Sequence, residues 1–136
     1  MNLLPYIWRQ ARMAVANSEP FMRALCLDFP DDVVACQLED EYMFGHDLLV
    51  APVLMENARE RRLYLPGDGW LDFWTLQPVS GGWQERYPSD LEVIPIFLRR
   101  GAVLPLNLGD SFRLGRSSGV KGAAYGRLCF LIAVES

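Results

Sequence analysis

The side chains here best suited to chemistry are carboxylates. Asp28, Asp31 and Asp32 lie close together, and Glu39, Asp40 and Glu41 are consecutive. Two carboxyls whose pKa values are pushed apart can act as acid and base on one bond. Their settings also offer plainer roles. Asp31 or Asp32 stands where a helix N-cap is needed, and Asp28 precedes a Phe-Pro turn. Glu39–Glu41 suit the solvated side of a helix. His46 is the only histidine, so any Ser–His–Asp scheme must pass through it, and no Ser or Cys stands in a recognisable nucleophile context. It is read as a loop or surface residue. Cys26, Cys36 and Cys129 are odd in number and share no CxxC spacing, which argues against a disulfide framework and against zinc. The expectation is no catalytic, substrate-binding or metal-ligating residue on this chain.

The aromatic residues offer another chemistry. Trp70, Phe73, Trp74 and Trp83 could form a platform on which sugar rings stack. Trp70 and Phe73 differ in parity along a strand and so face opposite ways, which sends at least one of them into a core or an interface.

The elements that would carry these residues follow two grammars. Leu3, Leu4, Ile7, Trp8, Ala11 and Val15 recur at helical intervals and predict a helix over 3–16, with Pro5 tolerated in its first turn. The apolar run 21–27 reads as a buried strand of the parallel type, and 33–43 as a second helix stopped by Gly45. Beyond Gly45 short strands are expected at 48–54, 63–65, 70–74, 83–87, 93–98, 102–106 and 128–134. Pro66-Gly67-Asp68-Gly69, Gly81-Gly82 and Arg100-Gly101 separate them, the pattern of an antiparallel sandwich or barrel. A lone helix–strand–helix cannot close a domain, because both sheet edges stay open. Residues 1–45 therefore read as the end of a larger α/β unit.

The 136 residues carry a net charge of −4, and 51% are hydrophobic. Arg61-Arg62 and Arg99-Arg100 are isolated basic pairs, so there is no electrostatic footprint for nucleic acid. No apolar run approaches membrane-spanning length and no signal-like start is present, so a cytosolic location is the default.

Four stretches resemble glycoside hydrolase family 31, the α-glucosidase and α-xylosidase type. They are Leu3-Leu4-Pro5-Tyr6-Ile7-Trp8; the run from Met22 to Asp32; the run from Asp40 to Val53; and Arg62-Leu63-Tyr64-Leu65-Pro66 leading to Gly69-Trp70-Leu71-Asp72-Phe73-Trp74. The run from Ile94 to Pro105 extends the match. His46 departs from the family pattern, which has a small or acidic residue there.

The resemblance implies an α/β portion followed by an all-β one. Residues 1–45 would be the last helix, strand and helix of a (β/α)₈ catalytic barrel, and residues 46–136 a proximal C-terminal β-sandwich, truncated at its end. A whole barrel needs roughly 250 residues, so most of it would lie elsewhere. Family members retain configuration with two aspartates, which, like the Arg, Asp and His that grip the sugar, precede the Leu3-Leu4-Pro5-Tyr6 helix. None of these roles can be carried onto a residue here. The expected parent enzyme hydrolyses α-glucosides or α-xylosides without cofactor or metal, its partners being an α-linked oligosaccharide and the missing barrel. Two other readings stay open: a non-catalytic β-domain that binds carbohydrate or a protein through its aromatics, and a broken gene product.

Overall fold

The structure, a computed structural model, describes residues 2–89, 93–108, 114 and 128–134. The chain divides into two compact units, one made of its two ends and one of residues 22–100.

In the unit made of the chain ends, helix α1 (Leu4–Asn17) begins with proline in its first turn. It closes on Ser18 in the left-handed region, whose N–H bonds Ala14 O. Asn2 and Asn107 tie its start to the end of strand β9 (Val103–Leu106): Asn107 N donates to Asn2 O at 2.8 Å, and Asn2 Nδ2 to Asn107 O at 2.7 Å. Strand β10 (Cys129–Ile132) lies antiparallel to β9. The helix presents an unexpected face to its neighbours. Pro5, Tyr6 and Gln10 are the buried positions, whereas Trp8 is 64% and Val15 85% exposed. The apolar stripe seen in the sequence is thus largely uncovered.

The second unit is built from antiparallel strands. Strand β1 (Met22–Ala24) is followed at once by the single turn α2 (Leu25–Asp28), then by the short helix α3 (Val33–Gln37) and strand β2 (Tyr42–Phe44). After it come β3 (Leu48–Val50), β4 (Glu60–Leu65), β5 (Trp70–Asp72), β6 (Pro78–Val79), β7 (Gly82–Pro88) and β8 (Ile96–Arg99). Six of them form one sheet in the order β1-β2-β3-β8-β5-β6, and β4 pairs with β7 as a separate ribbon. Met43, Leu49, Phe97 and Trp70 of the sheet meet Leu63 and Leu65 of the ribbon, with Leu25 and Ala35 from the short helices, in one buried cluster. Burial of such a cluster is the main favourable term in folding.

Two expectations are corrected here. The run 21–27 is not a parallel strand buried on both faces: β1 is three residues long, antiparallel to β2, and Met22↔Phe44 and Ala24↔Tyr42 are in register. A short apolar run carries no period that separates strand from helix, and the chain takes up both in succession. Nor does a helix run over 33–43. It stops at Gln37, Leu38 is already extended, and Tyr42 and Met43 belong to a strand. Gly45, at φ 67°, therefore turns the β2–β3 hairpin, and the boundary expected between residues 45 and 46 falls inside that hairpin.

The strands expected further on lie close to their places, and turn chemistry explains their ends. Gly81 could be nothing else, because a Cβ there would stand 1.5 Å from Gly67 O. Asp68 Oδ1 accepts from the Gly81 N–H at 3.2 Å and holds the two turns together.

Candidate functional site

The most developed polar group lies where the start of β2 meets β4. A bulge between Arg61 and Leu63 aims the Arg61 side chain, only 9% exposed, back across the layer. Its guanidinium donates to Asp40 Oδ2 at 2.8 Å and to the carbonyl of Pro52, and lies 3.5 Å from Glu41 Oε1. Glu41 Oε1 accepts the Tyr64 N–H at 2.8 Å, while Oε2 is enclosed with no partner. Glu41 is 3% exposed. Desolvation pushes its carboxyl up to about 7, against the opposing pull of the Tyr64 N–H and of Arg61; Asp40 adds to the rise. The sequence reading that put Glu41 on a solvated helix face is corrected by this burial. The cause is the early end of α3, which turns the acidic run into the lead-in of a strand.

A cleft of about 250 Å³ opens beside this group, lined by Asp40, Pro52, Leu54, Met55, Glu60 and Arg61 among others. Its chemistry is limited. Asp40 and Glu41 converge on the same guanidinium rather than facing each other across a gap, and Glu41 is shut off from solvent. A pair of this kind locks strands together and does not divide acid and base roles across a bond.

The other candidates are committed in similar ways. Asp28 takes two hydrogen bonds of 2.8 Å from Arg23, a side chain only 6% exposed. Arg23 also reaches Gly45 O at 3.3 Å and His46 Nδ1 at 3.1 Å. A guanidinium only donates, so Nδ1 is the acceptor in this contact. Asp32 is the expected cap: Oδ1 accepts from Val34 N and Ala35 N, and Oδ2 from the Tyr64 hydroxyl at 2.9 Å. Asp31 and Glu39 are exposed. Among the described residues, no group of three or more His, Cys, Asp or Glu is placed to hold a metal ion, and no helix is long and apolar enough to cross a membrane.

Of the aromatic residues, Trp70 and Phe73 are both buried. Parity does not separate them, because β5 ends at Asp72 and the chain turns before Phe73. Trp74 is 41% exposed, with its indole N–H donated to Ile94 O. Trp83 is 40% exposed, with the Arg62 guanidinium 3.7 Å from its ring centre and Tyr64 tilted against it. These rings do not share one open platform.

Two features escaped the sequence. One is Asp72, which accepts from Trp74 N, Thr75 N and the Thr75 and Tyr87 hydroxyls. An Asp followed three positions later by Thr was the available signal. The other is the packing of α2 against α3, the elements that carry Cys26 and Cys36, for which no spacing motif exists.

Comparison with known proteins bears on all of this. The family model described as glycosyl hydrolase family 31 C-terminal domain matches residues 18–104. An isomaltosyltransferase from Sporosarcina globispora is 38% identical over 132 residues, spanning 97% of this chain and 12% of that protein. An α-xylosidase from Saccharolobus solfataricus is 41% identical over 106 residues, 77% of this chain and 14% of that one. Among solved structures, the cycloalternan-forming enzyme of Listeria monocytogenes, in complex with a pentasaccharide substrate, superposes with a TM-score of 0.93 at 39% identity. It covers 98% of this chain and 13% of its own. The chain thus spans between 12% and 14% of the length of these relatives.

Proposed function

This chain belongs to glycosyl hydrolase family 31, and from that membership we propose that it is the structural C-terminal portion of a longer retaining α-glycosidase acting on α-glucosides or α-xylosides. Residues 22–100 serve as the β-domain. Residues before Met22 serve as the last helix of the catalytic barrel, a reading that the antiparallel β1–β2 pairing favours over a boundary at residue 45. The barrel supplies two aspartates about 5–5.5 Å apart, one attacking the anomeric carbon and the other protonating the leaving oxygen. This chain supplies neither, and needs neither cofactor nor metal. We place the enzyme in the cytosol, where its three free cysteines suit a reducing milieu.

The observation that carries this reading is the uncovered stripe of α1. Tyr6 and Gln10 are packed, yet Trp8 and Val15 on the apolar side stand open, beside a shallow groove lined by Trp8, Arg9, Arg12 and Met13. A helix with one face packed and an apolar stripe open is suited to a second packing partner. The relatives, several-fold longer, supply the length for one.

The test has two arms. The purified chain is assayed with aryl α-glucosides and α-xylosides, and no turnover is expected. Residues 1–136 are then exchanged for the matching segment of the Listeria enzyme, and the chimera is expected to act on that enzyme's substrate. Trp8→Asp is expected to lower its activity and soluble yield. Turnover by the isolated chain that disappears on Asp28→Ala would overturn the proposal.

A further inference from the structure

Cys26 and Cys36 lie on α2 and α3, which pack against one another. Cys36 Sγ is 3.7 Å from the carbonyl oxygens of both Phe29 and Pro30, the residues that follow α2, so its side chain turns back over the helix that carries Cys26. Cys26 is among the groups that perturb the Cys36 thiol. Cys36 is exposed and Cys26 partly so.

The backbone under both sulfurs is anchored. Leu25 and Ala35, their immediate neighbours, are core residues. Asp28 holds Arg23, and Asp32 caps α3 while accepting from Tyr64. Two thiols held on fixed, adjoining turns have little freedom to lose on joining, which favours a bond between them once its geometry is met.

We propose that Cys26 and Cys36 are a reversible dithiol–disulfide pair, a modification site that takes a small-molecule disulfide such as oxidised glutathione as its oxidant. The more exposed Cys36 gives up its proton to solvent, and its thiolate attacks one sulfur of the small disulfide. That S–S bond breaks, and one small thiolate leaves and is protonated. The Cys26 thiolate then attacks Cys36 Sγ in the mixed disulfide and expels the second small thiol. The protein loses two hydrogens and two electrons, and the oxidant is reduced to two thiols. Desolvation, then Cys26 and the Asp32 and Asp31 carboxylates, push the Cys36 thiol above its ordinary value. The first step is therefore slow at neutral pH and accelerates about tenfold per unit as pH rises.

The full chain is incubated with oxidised glutathione under native conditions and in urea, then alkylated and digested with endoproteinase Asp-N. Cleavage before Asp28, Asp31 and Asp32 places the two cysteines on different peptides. The expected result is a Cys26–Cys36 linked peptide pair that dithiothreitol separates and that forms faster in the native chain than in urea. In Cys26→Ser the reaction is expected to stop at a glutathione adduct on Cys36. Phenylarsine oxide, which bridges neighbouring thiols, is expected to shield both from alkylation in the native wild-type chain. Separate glutathione adducts on Cys26 and Cys36 with no linked pair, or linkage no faster than in urea, would overturn the proposal. These results do not depend on whether the chain acts within a glycosidase.

Discussion

The Glu41 carboxylate sits 3.5 Å from the Arg61 guanidinium, yet one of its oxygens is enclosed without a partner, so its charge is only half compensated. Burial pushes its carboxyl up to about 7 from an ordinary value of 4.5, so the fold binds the proton more tightly than the unfolded chain does. For a raised carboxyl, stability is fully present below the unfolded value and is lost as pH rises through the folded one. Stability is therefore expected to fall between pH 4.5 and about 7 and to level off above, by at most about 3 kcal/mol. Glu41→Gln should flatten that slope and stabilise the chain above pH 7. Urea unfolding at pH 5 and pH 8 checks both; an unchanged slope in Glu41→Gln would exclude this origin.

Asp72 has the opposite sign. Burial pushes its carboxyl up, but the Tyr87 hydroxyl, the N–H and hydroxyl of Thr75 and the Trp74 N–H outweigh that and hold it below the ordinary range. Its contribution is present above the unfolded value and is lost as pH falls through the folded one. Tyr87→Phe is expected to cost about 1–2 kcal/mol, and Asp72→Ala about 2–3 kcal/mol because it strands four donors at once. The two losses should add to less than their sum. A double-mutant cycle by thermal unfolding measures this coupling, and strict additivity would contradict it.

Gly81→Ala is expected to be the more damaging of two glycine substitutions. The new methyl collides with the Gly67 carbonyl, a backbone atom that cannot swing away, so a loss above about 3 kcal/mol or failure to fold follows. Gly67→Ala meets nothing within 4 Å and strains only a backbone at φ 62°, for about 1 kcal/mol. Comparable unfolding midpoints for the two variants would refute the steric account.

Arg62→Ala should leave the core intact while exposing the face of Trp83. The loss is about 0.5–1 kcal/mol, the worth of an exposed cation–π contact, with a shift in Trp fluorescence. Leu49→Ala, in the middle of the sheet, should cost about 2–5 kcal/mol. An Arg62→Ala loss as large as that of Leu49→Ala would show that Trp83 is a core residue in effect.

The strands with alternating or turn-bounded patterns were legible in the sequence. So was the cap at Asp32, because its chemistry is local. What could not be read were β1, β2 and β6, elements of two or three residues without turn signals that mark them as strands. β1 and β2 exist because each pairs with a neighbour, and a three-residue strand has no period of its own. The same limit hid the roles of the carboxylates. Whether Asp28 meets solvent or Arg23, and whether Glu41 is open or buried, is decided by side chains brought in by other strands. The run 21–27 imitates a buried parallel strand for the same reason, since only its pairing with β2 shows it to be a short antiparallel one.

The middle seam of the six-stranded sheet has a kinetic corollary. β3 and β8 are neighbours there, yet Leu49 and its partner Phe97 are roughly fifty positions apart in the chain. The β2–β3 and β5–β6 hairpins can form early from short loops, but they are not joined into one sheet until β8, which lies between β3 and β5, arrives. Closing so long a loop puts its entropy cost ahead of the contacts that repay it. During synthesis the half-built sheet must wait, its apolar side unshielded, until the strand beginning at Ile96 emerges.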